Sequence, residues 1–144
     1  MELKYKLISG GKAPVQATEG SNGLDLFPNM PFMQDWLDPN EQLPIPLGVS
    51  VCIPKGYVGL LVERSSLHKR GLILVNKIGV IDSDYRGELM GVLKNISKRK
   101  VDLKNDKPIV QLIIVPQPAI ELIQVDELDT TSRGSGGFGS TGKH

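Results

Sequence analysis

Two carboxylates, a phenol and a guanidinium fall within five residues, at Asp82, Asp84, Tyr85 and Arg86, inside the stretch G-V-I-D-S-D-Y-R-G-E at 79–88. Ile78, Val80 and Ile81 lead in and Glu88, Leu89 and Met90 lead out, which predicts a strand, a tight turn and a second strand. A turn this polar is poorly suited to a core. The backbone beside it could pair with a flat polar ligand, as a sheet edge pairs with an incoming strand. Asp, Ser and Gly are equally the residues of an ordinary surface turn.

Three other groups of residues could hold an anion. Arg64-Ser65-Ser66 ends an apolar run and opens a short helical pattern. There serine can cap free N–H groups, the helix start carries partial positive charge, and arginine supplies a forked cation. A plain capped turn with a solvated basic face has the same composition. Gln111 is the one polar side chain in an apolar run and needs partners, from a ligand or from backbone groups. Residues 133–142 read R-G-S-G-G-F-G-S-T-G. Its glycines let a backbone wrap close to a ligand, Arg133, Ser140 and Thr141 can hold phosphate, and Phe138 offers a stacking face. A frayed terminus is the alternative. Asp25, between Leu24 and Leu26, points away from the apolar face and by itself reads as a solvated strand residue.

Short strands must position these groups. The 144 residues include 16 Gly and 10 Pro, which cut the chain into pieces suited to an all-β domain. Strands are expected over 3–8, 13–17, 44–54, 57–62, 72–75, 77–81, 89–96, 101–103, 109–115 and 119–125, with a turn at Lys55-Gly56 and 109–115 central. Residues 28–41 fit either one helical turn or a structured loop, and their prolines limit any helix. From Asp126 onward apolar residues almost vanish, so a β domain, 1–128, precedes a flexible arm, 129–144. A net charge of +1 argues against a general nucleic-acid coat, and 97–100 reads as a solvated turn. The lone Cys52 is expected to be a buried thiol, unable to form an internal disulfide or a Cys-based metal site. With no long apolar segment, a soluble cytoplasmic protein is expected.

Taken in order, S-N-G-L-D-L at 21–26, R-S-S-L-H-K-R-G at 64–71, G-V-I-D-S-D-Y-R-G-E at 79–88, K-P-I-V-Q at 107–111 and R-G-S-G-G-F-G-S-T-G at 133–142 resemble the five motifs of the homotrimeric dUTPase (dUTP diphosphatase) family. The match spans essentially the whole chain. The third and fifth motifs are very specific, the second moderately so, and the first and fourth weak alone. The resemblance implies an all-β, jelly-roll-like (β-clip) protomer and a homotrimer with three sites shared between subunits. It implies Mg²⁺-assisted hydrolysis of dUTP to dUMP and pyrophosphate, which keeps uracil out of DNA and supplies dUMP for thymidylate synthesis. By likeness, Asp82 positions the attacking water. Asn76, Gly79, Val80, Ile81, Tyr85, Met90 and Phe138 hold deoxyuridine, with Tyr85 closing the space of a 2′-hydroxyl. Arg64, Ser65, Ser66, Gln111, Arg133, Ser140 and Thr141 bind phosphates. Asp25 stands near the metal through water.

The sequence departs from the family where Pro108 stands at the place of an arginine, so that the local cation is Lys107 or is missing, which leaves the bracing of Gln111 open. Asn22 replaces the usual alanine, and Ser66 a common glycine. The R-S-S segment also resembles dCTP deaminases, but the 79–88 hairpin and the G-G-F-G tail side with dUTPases. One Cys and two His cannot furnish a zinc deaminase. A non-catalytic nucleotide sensor stays open, as does an unknown regulatory protein partner, for which 28–41 is the segment to examine. Neither a membrane nor direct nucleic-acid contact is expected.

Overall fold

A computed structural model describes residues 1–30, 34–104 and 107–138. The chain forms β1 (Lys4–Leu7), β2 (Val15–Gln16), β3 (Gly23–Leu26), β4 (Trp36–Leu37), β5 (Gln42–Pro46), β6 (Val49–Cys52) and β7 (Tyr57–Glu63), then a 3-10 turn (Leu67–Arg70), β8 (Leu72–Leu74), β9 (Ile78–Ile81), β10 (Met90–Asn95), β11 (Val101–Asp102) and β12 (Val110–Pro116). All pairings are antiparallel. The largest sheet has the order β2-β3-β12-β7-β9, which places β12 centrally as its apolar sequence requires. A second sheet, β5-β10-β8, packs with it, and β1-β6 and β4-β11 are two-stranded. The all-β, jelly-roll-like expectation stands.

Period-two alternation builds the core. Val49 and Val51 of β6, Leu61 of β7, Leu93 of β10, and Val110 and Leu112 of β12 all point inward, joined by Leu26, Ile45, Leu47, Leu67, Leu72 and Leu89. Asn95 is also fully buried, and its amide is fully used. Nδ2 donates to Leu37 O (2.9 Å) and Arg99 O (2.8 Å), while Oδ1 accepts from Ser97 N (2.9 Å) and Ser97 Oγ (2.7 Å). That side chain ties the 97–100 turn to β4.

Several expectations need correction. The 79–88 stretch is not a paired hairpin, because β9 pairs with β7 while β10 pairs with β5 and β8. The 44–54 run is two strands. Gly48, at φ +66°, turns the chain between β5 and β6, and β6 pairs with β1 instead of folding back on β7. Of the two readings left open for residues 28–41, the described residues show no helical turn; Trp36–Leu37 pairs with Val101–Asp102, and residues 31–33 lie outside the described set. Finally, 119–125 forms no strand. Its alternation is real, but among the described residues no strand pairs with it, and Leu122 remains 93% exposed. A strand needs a neighbour to satisfy its backbone, and the described residues do not supply one. Cys52 is half-buried, not buried. Among the described residues, no helix is long and apolar enough to cross a membrane.

Asn95→Ala removes the amide donor from the carbonyl of the fully buried Leu37. We expect a loss of about 3 kcal/mol in urea-unfolding stability; a midpoint within error of the parent would show that water replaces the amide.

Candidate active site

The loop after β9 is held by its own residues. Tyr85 N donates to Asp82 O (3.2 Å), and Arg86 Nη1 donates to Ser83 O (2.7 Å) and Tyr85 O (2.8 Å), so Arg86 braces the turn. Tyr85 Oη donates to Glu88 O (3.0 Å). The phenol lies directly over Gly87, where any Cβ would collide with it. Downstream the loop is fastened to the β5–β6 corner. Glu88 Oε1 accepts from Gly48 N (2.8 Å), Leu89 N donates to Val49 O (2.8 Å), and Leu47 N donates to Leu89 O (3.0 Å).

A cleft of about 230 Å³ opens beside this loop. It is lined by Asn76, Gly79, Val80, Ile81, Asp82, Tyr85, Glu88, Leu89 and Met90. All six deoxyuridine residues expected from the described core, and Asp82, are therefore brought together. Sequence reasoning missed Glu88 and Leu89, although Glu88 stood inside the motif. Among the described residues β9 is the outer strand of its sheet, paired with β7 along one edge only, an arrangement that leaves edge backbone groups for a ligand. Asn76 Oδ1 accepts from Val92 N (3.2 Å), and its Nδ2 lies toward Gly79. The bend that places it is tight: Lys77 sits at φ +57° and donates its N–H to Leu74 O (3.2 Å).

The phosphate-type residues gather elsewhere, at the end of β7. Arg64 Nε lies 2.8 Å from Asp25 Oδ1. Asp25 is only 8% exposed, against the expectation of a solvated residue, and a buried carboxylate of this kind needs such a partner. Gln111 stands opposite both Asp25 and Val62. Its Nε2 donates to Glu63 O (3.3 Å) and its amide lies over Gly23, so Gln111 is braced without an arginine at position 108. Ser65 and Ser66 are exposed. Ser66 occupies the cap position of the 3-10 turn without a side-chain cap bond, so the expected serine cap is absent and its hydroxyl stays available.

Neither Arg64 nor its neighbours line the cleft. Ile81 is opposite Gly59, which puts Asp82 near one end of β7 and Arg64 at the other. Six residues of strand separate them, roughly 20 Å. In the tail, Gly134 N donates to Thr131 O (3.1 Å) and Gly136 N to Arg133 O (3.1 Å), making a local turn. Arg133 and Phe138 are exposed and do not reach the cleft of their own chain. Ser140 and Thr141 lie outside the described residues.

A sequence profile described as dUTPase matches residues 10–142. The chain belongs to the dUTPase family. It is a deoxyuridine-triphosphate nucleotidohydrolase by that membership. Its relatives include deoxyuridine 5′-triphosphate nucleotidohydrolases of Neisseria meningitidis serogroup B, 42% identical over 100% of this chain and 99% of the relative, and of Escherichia phage T5, 41% identical over 97% and 98%. Among solved structures, a Staphylococcus bacteriophage 80alpha dUTPase G164S mutant with dUpNHpp superposes with a TM-score of 0.84 at 29% identity, covering 97% of this chain and 98% of that one.

In this dUTPase fold Gly87 is required by Tyr85. Gly87→Ala should push the phenol off Glu88 O, change the near-ultraviolet circular dichroism and lower stability by about 1–3 kcal/mol. An unchanged spectrum and stability would show that the ring has room to move.

Proposed function

We propose that the protein hydrolyses dUTP to dUMP and pyrophosphate, at sites built from more than one subunit of a homotrimer. The observation that carries this reading is the cleft beside β9, where Asp82 stands among the residues that the family likeness assigns to deoxyuridine. The uracil edge pairs with backbone groups around 79–81. Tyr85, fixed by Glu88 O and Gly87, packs on the sugar and leaves no room for a 2′-hydroxyl.

Asp82 orients a water for in-line attack on the α-phosphorus and takes up its proton as the new P–O bond forms. The bond from the α-phosphorus to the α,β-bridging oxygen breaks, and pyrophosphate leaves. The charge on the phosphates calls for donors aimed at them, a role for Arg64, Ser65, Ser66 and Gln111. Among the described residues, no three of His, Cys, Asp and Glu cluster as a metal cage. That donor set fits an Mg²⁺ that phosphate oxygens and water would hold, with Asp25 acting on it through water. When bound, the ion would neutralise phosphate charge.

The roughly 20 Å between Asp82 and Arg64 supports the shared site, because water activation and phosphate binding concern adjacent atoms of one substrate. Phosphate donors then come from a neighbour. Ile120, Leu122, Ile123, Val125 and Leu128 are exposed in the single chain, as expected of a segment covered by another subunit, beyond which Arg133, Ser140, Thr141 and Phe138 would close over a site.

The purified protein should release dUMP and pyrophosphate from dUTP with Mg²⁺, and act poorly on UTP and dCTP. Asp82→Asn should retain nucleotide binding while turnover falls by about 10²–10⁴-fold; near-parental turnover would remove Asp82 from water activation. Light scattering should give a mass near three 15.7 kDa chains, and a stable, active monomer would defeat the shared site.

A further inference from the structure

A groove of about 480 Å³ lies outside the cleft, lined by Lys69, Arg70, Arg99, Lys100, Lys104 and Lys107 with Val101 and Asp102. Among the described residues, six of the sixteen Lys and Arg (all but Lys143) and one of the fifteen Asp and Glu (all but Asp106) line it. The rest of the described residues therefore carry an acidic excess of four, although the chain's total is +1. Some of these cations are held in place. Arg70 Nη2 donates to Asp102 O (2.7 Å), Lys104 Nζ is 3.4 Å from Asp102 Oδ2, and Lys100 Nζ lies 4.5 Å from the Trp36 ring centre and 3.6 Å from Asp38. Lys69 and Arg99 are exposed.

The place of the groove in the chain gives it a direction. Lys69 follows Ser66 by three residues, on the 3-10 turn that Ser66 opens. Lys107 precedes Gln111 by four residues, at the entry to β12. Both segments assigned to the phosphates thus run into the groove walls. Among the described residues no aromatic side chain lines it, and its surface is charged and open, so it offers attraction without a shaped seat for a base or sugar.

We infer that this groove is an electrostatic approach path which captures the polyphosphate of the incoming nucleotide and delivers it to Arg64, Ser65 and Ser66 on the same subunit. The inference rests on the proposed reaction. A polyanion is repelled by the acidic excess of the other described residues and drawn to this cationic groove, and such fields raise association rates by 10–10³-fold at low salt and fade as salt screens them. The field acts on encounter. It does not act on the bond-breaking step.

The test is the double charge reversal Lys69→Glu/Arg99→Glu, in which neither side chain has been placed in the catalytic or binding machinery. Association of a non-hydrolysable imido analogue of dUTP would be followed by stopped flow from 20 to 500 mM salt, with steady-state hydrolysis alongside. We expect the association rate and kcat/KM to fall about tenfold at low salt, the difference to vanish at high salt, and kcat to stay at the parental value. Lys69→Gln/Arg99→Gln should fall between the two. An association rate equal to the parent's at every salt would overturn the inference, as would a loss of kcat that persists at 500 mM. Absence of dUTP hydrolysis by the parent protein would overturn the proposed reaction, and the association measurement would still judge the groove.

Discussion

Three consecutive hydrogen bonds hold the candidate site in shape. Residues 88 and 89 are tied to residues 47, 48 and 49 through Glu88 Oε1, Leu89 N and Leu89 O. Leu89 is buried among Leu47, Val49 and the rest of the core, so the bonds lie in a region where breaking them would expose unpaired groups. The loop between β9 and β10 crosses from one sheet to another, and without this clamp its polar tip would have no fixed position. Tyr85 then takes its place from Glu88 O, and Gly87 is absent of a side chain because the phenol needs that volume. The order of dependence runs from the Gly48 corner to Glu88, from Glu88 to Tyr85, and from Tyr85 to the cleft.

The second constraint is the length of β7. Asp82 follows β9 near the Tyr57 end of β7, and Arg64 follows β7 at its other end. An extended strand cannot shorten, so Asp82 and Arg64 of one chain stay apart. At the Arg64 end, Asp25 and Gln111 brace the cation and its neighbouring backbone from β3 and β12. Arg64 is thereby held in a single orientation before any ligand arrives, which limits the ordering cost of binding.

Much of this was legible in the sequence because it is local. The polar turn at 82–87, the apolar run leading into it and the central strand at 109–115 announce themselves by composition and period. What was not legible depends on partners far along the chain. Nothing near Asp25 reveals that Arg64 will lie beside it, and alternation alone made it look solvated. The run from 44 to 54 reads as one strand until Gly48 adopts φ +66°. The 119–125 alternation reads as a strand and is not one, because a pattern of side chains does not say whether a neighbouring strand exists within the same chain. Glu88 was overlooked because its carboxylate serves a backbone N–H forty residues away.

Net charge is a further quantity that sequence order hides. A total of +1 excludes a uniform field, and it was reasonable to set aside 97–100 as a solvated turn when read alone. Folding changes what that turn belongs to. Asn95 and Ser97 fix the carbonyl of Arg99, β11 pairs with β4, and the 3-10 turn brings Arg70 to the carbonyl of Asp102. Cations that are thirty residues apart in sequence then face one groove, with Asp102 the one acid among its described lining residues. Because Coulomb interactions reach about 10 Å at ordinary ionic strength, it is this spatial grouping, and not the sum, that an approaching polyanion experiences. A nearly neutral chain can therefore present a strongly directional surface.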